Sequence, residues 1–274
     1  MKILVVLTAL LVIFPLVFMT MGSFKNSKLV LGPEVLIPYN FTIDNYVILF
    51  KAPIFIWLLN SILITSLTVV LSVLINTLAG FTFHHFNFKF KEVLFWLLLT
   101  SLLIPSQITL IPMYLMVRNL GLYDTRWGLI MPFVTSSFLI FFYRNFLHNY
   151  PSSILDASYV DGAGHLRTYF SIVLPSTTSA ISTMCILVFM GTWKMFLLAL
   201  ILVTRQTLWT LTVGITEYVR AISWNAQWIA DDRAGGINYG VMMAAGFYTL
   251  LPALLMFVLL RKQFVNSLSS TLEK

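Results

Sequence analysis

Charged residues are scarce in this sequence, and their scarcity excludes a water-soluble domain. Asp, Glu, Lys and Arg make up 10% of the 274 residues, whereas hydrophobic residues make up 59% and the mean hydropathy is +0.89. A soluble domain carries roughly 25% charged residues, because its surface must be hydrated. The chain therefore exposes much of its surface to lipid.

Acidic residues are absent from six long apolar stretches, which we interpret as membrane spans. These stretches are 3–22, 54–81, 93–117, 127–147, 176–203 and 239–260. Each has the length of about 20 residues or more that a helix needs to cross the hydrocarbon core, and none alternates like a barrel strand. We therefore predict an all-α, polytopic membrane bundle of about six transmembrane helices. A cleaved signal peptide is the alternative for the first stretch, although that stretch is long and lacks a clear cleavage site.

The usual signatures of catalysis, nucleotide binding and ion coupling are missing too. The sequence contains no GxxxxGK[ST], HExxH or GxSxG motif, and its single cysteine, Cys185, has no disulfide partner in the chain. No acidic residue lies within a predicted span to bind a coupling ion. His84 and His85 favour a solvated loop over a metal site, while His148 and His165 lack an acidic partner at helical spacing. We expect no catalytic residue, metal or cofactor in this chain.

Basic residues are spread between the spans, although the net charge is +7. This distribution favours contact with lipid headgroups and argues against nucleic acid. If both termini are cytoplasmic, eight Lys and Arg lie inside, eight lie outside, and Lys194 lies within a span. Long loops weigh less than short ones in the positive-inside rule, so the distribution favours cytoplasmic termini.

A polar segment, 155–175, interrupts the apolar chain between the fourth and fifth spans. Pro151 suits the first turn of a short helix that ends near Asp161-Gly162, and a second helix starts near Gly164. Small side chains allow another backbone to approach closely, and the aspartates offer charge-assisted contacts. We predict a two-helix projection that enters a groove of another protein. An ordinary interfacial loop with capping aspartates is the alternative.

The spacing within this segment resembles the E-A-A-x3-G-x9-I-x-L-P loop of bacterial ABC importer permeases. The matching residues are Asp156-Ala157-Ser158, Gly162, Ile172, Leu174 and Pro175. Further segments resemble carbohydrate importer permeases of the maltose type, and among them are 60–61, 78–81, 104–107, 111–114, 210–214, 244–246 and 261–265. The sequence departs from the family pattern at Asp156, where glutamate is usual, at Ser158, where alanine is usual, and at Lys194, where asparagine is usual.

This resemblance implies that 1–274 is one permease domain whose cytoplasmic coupling loop, 149–172, docks into an ATPase. The implied coupling residues are Asp156, Ala157, Ser158, Asp161, Gly162, Ala163, Gly164, Ile172, Leu174 and Pro175. A separate ATPase dimer binds ATP and magnesium, and its closure drives alternating access of the spans. A second permease subunit completes a heterodimer, and an extracytoplasmic solute-binding protein delivers a sugar. The assembly lies in the bacterial cytoplasmic membrane, with both termini inside.

Aromatic residues supply the remaining candidates, because aromatic faces can stack on sugars. The substrate-pathway candidates are Trp193, Lys194, Phe196, Tyr114 and Phe138. The extracytoplasmic segment 204–238 contains Trp224 and Trp228, which we expect to contact the binding protein. An aromatic belt at the membrane interface is the alternative for these tryptophans.

Two other functions fit parts of the sequence. An ABC permease for a non-sugar solute, such as a phosphorylated polyol or a peptide, would carry the same loop. A membrane scaffold or enzyme would act without an ATPase, but the sequence offers no catalytic constellation to support it.

Overall fold

The computed structural model describes residues 2–25, 30, 41–229 and 238–272, and these residues are mainly helical. The fourteen α-helices in this part of the chain are α1 (Lys2–Ser23), α2 (Asp44–Leu49), α3 (Ile54–His85), α4 (Lys91–Thr100), α5 (Ser106–Asn119), α6 (Arg126–Ile130), α7 (Ser137–Leu147), α8 (Ser152–Val160), α9 (His165–Thr168), α10 (Leu174–Ser176), α11 (Thr178–Trp193), α12 (Leu197–Leu202), α13 (Leu211–Ile229) and α14 (Tyr239–Leu272). The prediction of an all-α fold is confirmed.

Three helices are long and apolar enough to cross a membrane unaided, judged over the described residues. They are α1 over Leu4–Ser23, α3 over Ile54–His85 and α14 over Tyr239–Met256. At 1.5 Å per residue α3 is about 48 Å long, which exceeds the roughly 30 Å of a hydrocarbon core. Bent helix pairs raise the number of spans to as many as six in the described chain if each pair counts as one. The number six itself stays a prediction.

The first of the three bends has a local cause in the sequence. The helical segments Lys91–Leu103 and Ser106–Asn119 meet at 107°. Pro105 lies between them with extended ψ, and its missing N–H cannot continue the hydrogen-bond ladder of the preceding helix. The predicted span 93–117 is thus divided at Pro105, whereas Pro112 lies inside α5.

The second bend, of 42° between Arg126–Phe133 and Ser137–Leu147, is closed by a buried amide. Asn76 Nδ2 donates to the carbonyl oxygen of Val134 at 2.9 Å, and the N–H of Ser136 donates to Asn76 Oδ1 at 2.8 Å. A break in a helix leaves backbone groups unpaired, and each buried unpaired group costs about 1–3 kcal/mol. Asn76 therefore stabilises the bent form by pairing both groups.

The third bend separates His165–Ser176 from Thr178–Trp193 by 80°. A five-residue π-helical turn, Tyr169–Val173, precedes it, and Pro175 follows within α10. Wide helical turns and proline are two of the recognised causes of sharp kinks. Thr177 Oγ1 then donates to the carbonyl oxygen of Val173 at 2.9 Å and lies 2.8 Å from Tyr143 Oη.

The chain divides into two compact units, 1–61 with 205–255 and 62–204 with 256–274. In the first unit, polar side chains near the start of α3 hold the chain just before α13. Asn60 Nδ2 donates to the carbonyl oxygen of Trp209 at 3.1 Å, and Ser61 Oγ accepts a 2.8 Å hydrogen bond from the N–H of Leu211. The Asn60-Ser61 motif is thus a backbone clamp.

The core of the second unit joins α3, α7, α8, the π-helical turn and α11. Its buried residues are Val73, Phe81, Leu139, Tyr143, Leu147, Leu155, Tyr169, Val173, Ala180, Met184 and Val188. Tyr143 and Tyr169 are fully buried, and Tyr169 Oη lies 2.7 Å from Thr77 Oγ1. A buried tyrosine normally pairs its hydroxyl in this way, because an unpaired one is costly. The predicted coupling segment therefore shares its core with a spanning helix.

Two features of the structure differ in detail from the sequence interpretation. The segment 204–238 contains a 19-residue helix, α13, with the buried positions Leu211, Val213 and Ile215. The stretch 176–203 is divided into α11 and α12, and α11 ends just before Lys194, which is exposed.

Candidate functional site

The predicted coupling loop 149–172, called the coupling segment below, turns back on itself at Gly162. The N–H of Gly162 donates to the carbonyl oxygen of Tyr159 at 3.0 Å, and the N–H of Ala163 donates to that of Ser158 at 2.9 Å. These two bonds form a Schellman motif that satisfies the last carbonyls of α8. Gly162 has φ +77°, in the left-handed region that favours glycine, and Asp161 occupies the C-cap.

The outer surface of this turn is open and partly apolar. Val160 is 86% exposed and Leu166 is 66% exposed, while Asp156 and Ala157 are also exposed. A Cβ atom added at Gly162 would meet nothing within 4 Å, and the same holds for Gly164. The tip therefore offers exposed apolar side chains, small residues and two carboxylates to a partner.

The inner surface of the segment is tightly held. Leu155 is 7% exposed within the core of the second unit. Ser158 is 4% exposed, and its Oγ donates to the carbonyl oxygen of Leu155 at 2.7 Å and lies 3.1 Å from Thr168 Oγ1. Ser158 thus connects α8 to α9 and does not face outward. Burying Leu155 is worth roughly 1.5–3 kcal/mol.

Tyr159 links the coupling segment to the last residue of α3. Its Oη lies 2.8 Å from His85 Nε2 and 3.1 Å from His165 Nδ1. The rings of Tyr159 and His85 stack at 5.5 Å, and Phe81 also stacks on His85, at 5.2 Å. One hydroxyl therefore joins α8, α9 and the end of α3.

The end of the matched loop pattern leads into the kinked helix. Ile172 lies in the π-helical turn, and Leu174 packs against the core of the second unit. Pro175 follows in α10, and it is exposed. These three residues shape the connection to α11, whereas the residues around Gly162 form the tip.

One of the substrate-pathway candidates, Phe138, lies in a cavity wall. Phe138 lines a cavity of about 330 Å³ with Gly191 and Thr192. The other four candidates do not line that cavity. Trp193 is buried and stacks on Phe189 at 5.5 Å, Tyr114 meets Tyr123 edge to face at 5.9 Å, Phe196 is half-buried and Lys194 is exposed.

The two binding-protein candidates, Trp224 and Trp228, both lie on α13. Their side chains lie outside the described residues. The structure thus gives them a helical backbone and four-residue spacing, which places them on the same side of that helix.

A protein family model matches most of the chain. The family described as "Binding-protein-dependent transport system inner membrane component" matches residues 72–264, which is well over half of the sequence and contains the whole coupling segment. The chain belongs to this family. It is therefore a transporter permease of the membrane and not an enzyme.

Curated permeases match almost the whole chain. The diacetylchitobiose uptake system permease protein NgcG of Streptomyces coelicolor is 28% identical over 269 residues, covering 97% of this chain and 85% of its own. The arabinooligosaccharides transport system permease protein AraQ of Bacillus subtilis is 26% identical and covers 95% and 90%. The sn-glycerol-3-phosphate transport system permease protein UgpE of Yersinia pestis is also 26% identical and covers 97% and 94%.

A solved structure shares the fold. It is a bacterial ABC transporter involved in the import of the acidic polysaccharide alginate, and one of its chains superposes with a TM-score of 0.83. The alignment covers 96% of this permease and 94% of that chain at 20% sequence identity. The likeness shows that this permease has the fold of that chain.

Sequence reasoning missed Val160, Leu166 and Tyr159. The first two are apolar residues within the polar segment, and they were overlooked because the matched pattern leaves those positions open. Helical spacing could have predicted that Val160 is exposed. Leu155 faces the core, and a residue five positions later lies on a different face of the helix. The Tyr159 link to His85 joins residues 74 positions apart, so no local pattern shows it.

Proposed function

We propose that this permease is the membrane subunit of an ATP-driven, binding-protein-dependent importer for a sugar or oligosaccharide. The observation that carries the proposal is the coupling segment. Its tip exposes the apolar side chains of Val160 and Leu166, while its root, Leu155, is buried in the core of the second unit. An apolar tip of this kind is costly in water, and contact with another protein removes that cost. The diacetylchitobiose and arabinooligosaccharide systems of its relatives support sugar as the cargo.

The energy for transport comes from a separate subunit in this proposal. ATP and magnesium bind to a cytoplasmic ATPase dimer, and this chain itself carries no cofactor. A second permease subunit forms a heterodimer with this one, and an extracytoplasmic binding protein delivers the sugar. The family description supports the dependence on a binding protein.

The orientation follows from the docking role. The coupling loop 149–172 lies in the cytoplasm, where ATP is available, and both termini lie on the same side. The chain then forms one permease domain that crosses the bacterial inner membrane several times. Our proposed contacts to the substrate pathway are Lys194, which is exposed, and Phe138, which lines the cavity of about 330 Å³.

Movement of the ATPase reaches the bundle through two connections. Leu155 moves with the core of the second unit, and Tyr159 holds the end of α3 through His85. Because packed cores switch between discrete arrangements and do not deform continuously, a shift of α8 moves α3 with it. ATP-driven closure thereby changes which side of the membrane can reach the cargo.

Affinity purification tests the docking role. The tagged permease is purified in mild detergent from cells expressing the whole importer, and an ATPase is sought by mass spectrometry. Val160→Asp places a charge on the apolar tip without touching the core, while Val160→Ile is the matched control. We expect the second permease with both variants and the ATPase with Val160→Ile alone. Equal recovery of the ATPase with Val160→Asp would contradict docking through this tip.

A phosphorylated polyol is the second candidate cargo. The relative UgpE belongs to an sn-glycerol-3-phosphate system and matches 97% of this chain. Uptake of labelled diacetylchitobiose, arabinooligosaccharides and glycerol 3-phosphate by cells with and without this gene separates the two cargo classes. Gene-dependent uptake of glycerol 3-phosphate alone would replace the sugar proposal.

A further inference from the structure

A cavity of about 760 Å³ lies in the first unit, between the start of α3 and α13. Its volume is within the roughly 300–1,000 Å³ of small-molecule sites. Three aromatic residues line it, namely Trp57, Trp209 and Tyr218. The coupling loop contributes no residue to this cavity.

The aromatic wall is fixed by bonds that do not involve a ligand. Trp57 Nε1 donates to the carbonyl oxygen of Gln206 at 2.9 Å, and its ring lies 5.9 Å from that of Trp209. A Cβ atom at Gly214 would come within 2.2 Å of the Trp57 ring, so the glycine lets α13 pack directly on the indole. Trp57 therefore cannot turn away from the cavity.

Tyr218 completes the wall in the same manner. Its hydroxyl donates to the carbonyl oxygen of Ile48 at 3.0 Å, and its ring lies 6.5 Å from that of Trp57. Tyrosine is neutral at physiological pH, and burial raises the pKa of the Tyr218 hydroxyl further. A rigid, neutral aromatic wall of this kind is preorganised for a flat apolar face.

Three charged residues also line the cavity. Glu217 and Arg220 form an ion pair one turn apart on α13, and Lys51 lines the cavity from the chain before α3. A carboxylate and a guanidinium each present two hydrogen-bonding atoms in one plane, which matches a pair of neighbouring hydroxyls. Lipid tails cannot satisfy these groups.

We propose that this cavity is a sugar-binding site of the permease. A sugar ring stacks its C–H face on Trp209 and Tyr218, which are half-buried, with Trp57 behind them. Glu217 and Arg220 bind the hydroxyls at the ring edge. The inference rests on the proposed sugar cargo. In the proposed orientation α3 ends on the cytoplasmic side, so Trp57 in its first turn lies toward the outer side, where the cargo enters.

Binding to the assembled importer in nanodiscs tests the site. The probes are diacetylchitobiose, lactose and an arabinooligosaccharide, and saturation-transfer NMR with titration gives the Kd. Trp209→Ala removes one stacking face, Glu217→Gln keeps the side-chain shape without the charge, and Trp127→Ala is the control because Trp127 is an exposed tryptophan that does not line the cavity. Each variant is used only if its melting temperature stays within about 3 °C of the wild type.

We expect at least one probe to bind, with a Kd about tenfold higher in both cavity variants and unchanged in Trp127→Ala. Uptake of the same probes in cells distinguishes the possible failures. If a probe is imported but does not bind, or binds equally to all variants, the site is wrong and the proposed function stands. If no probe is imported, both the proposed function and the proposed site are contradicted. Native mass spectrometry that finds a phospholipid displaced by Trp209→Ala also overturns the sugar site.

Discussion

The coupling segment and the chain before and within α13 are both polar interruptions of an apolar protein, but they are held in opposite ways. The coupling segment buries its root through Leu155 and exposes apolar side chains at its tip. The segment 206–211 is instead bound through its backbone to Asn60 and Ser61, and α13 packs on Trp57 through Gly214. The first arrangement suits contact with a protein surface, whereas the second suits binding of a small solute.

Truncation of the buried Leu155 side chain is expected to have the largest effect on stability. Leu155→Ala removes a buried side chain from the core, and such changes cost about 2–5 kcal/mol. We expect the coupling segment to lose protection from hydrogen exchange and the permease to lose its ATPase partner. Leu166→Ala, on the exposed tip, is the control for protection. Equal protection of 152–168 in wild type and Leu155→Ala would show that the segment is not held by its root.

A substitution at Gly214 tests the packing of α13 on Trp57. Gly214→Ala forces its Cβ against the buried Trp57 indole, and overpacking of this kind costs about 1–3 kcal/mol. We expect a lower melting temperature and weaker sugar binding, with the ATPase still recovered. Gly191→Ala is the control, because a Cβ there meets nothing within 4 Å. Identical melting temperatures for the two variants would contradict the packing described for Trp57.

Removal of the backbone clamp comes next. Asn60→Ala deletes hydrogen bonds to the carbonyl oxygens of Thr207 and Trp209, and leaving a buried polar group unpaired costs about 1–3 kcal/mol. We expect faster hydrogen exchange confined to 204–215 and a higher Kd for the probe sugars. Asn145→Ala alters an exposed asparagine and is the control. Faster hydrogen exchange in the coupling segment alone would contradict the role of Asn60 in holding the chain before α13.

The smallest expected effect on stability comes from Tyr159→Phe. It removes one hydroxyl between His85 and His165 and keeps the ring, for a net cost of about 1 kcal/mol. We expect normal recovery of the ATPase but fewer sugars transported per ATP hydrolysed in proteoliposomes. Tyr123→Phe is the matched control. An unchanged ratio would mean that the Tyr159 hydroxyl does not transmit movement to α3.

The two regions also differ in what their sequences reveal. The two short helices and the glycine turn were predictable because Pro151, Gly162 and the spacing that follows are local signals, and the structure contains both helices. The helix α13 was missed, since its tryptophans and charges are also typical of an outer loop. Its buried face is visible only after folding brings Trp57 against Gly214, 157 residues later in the chain.

Helix kinks elsewhere in the protein also depend partly on contacts between residues that are distant in the sequence. Pro105 is a local cause of the first bend, but the Asn76 bonds that stabilise the second bend join residues about 60 positions apart. Asn76 was given no role from the sequence alone. The role of a polar residue in α3 depends on which backbone groups the rest of the fold leaves unpaired. The sequence of α3 alone does not predict those groups.

Photo-crosslinking from the tip of the coupling segment tests the central claim most directly. A benzophenone amino acid at position 160 is irradiated in membranes that contain the whole importer, and the same group at position 56, an exposed residue of α3, is the control. We expect an adduct between the permease and an ATPase from position 160 alone, with a yield that changes when ATP is added. Adducts with lipid alone at position 160, in an importer that still transports, would contradict docking through this tip.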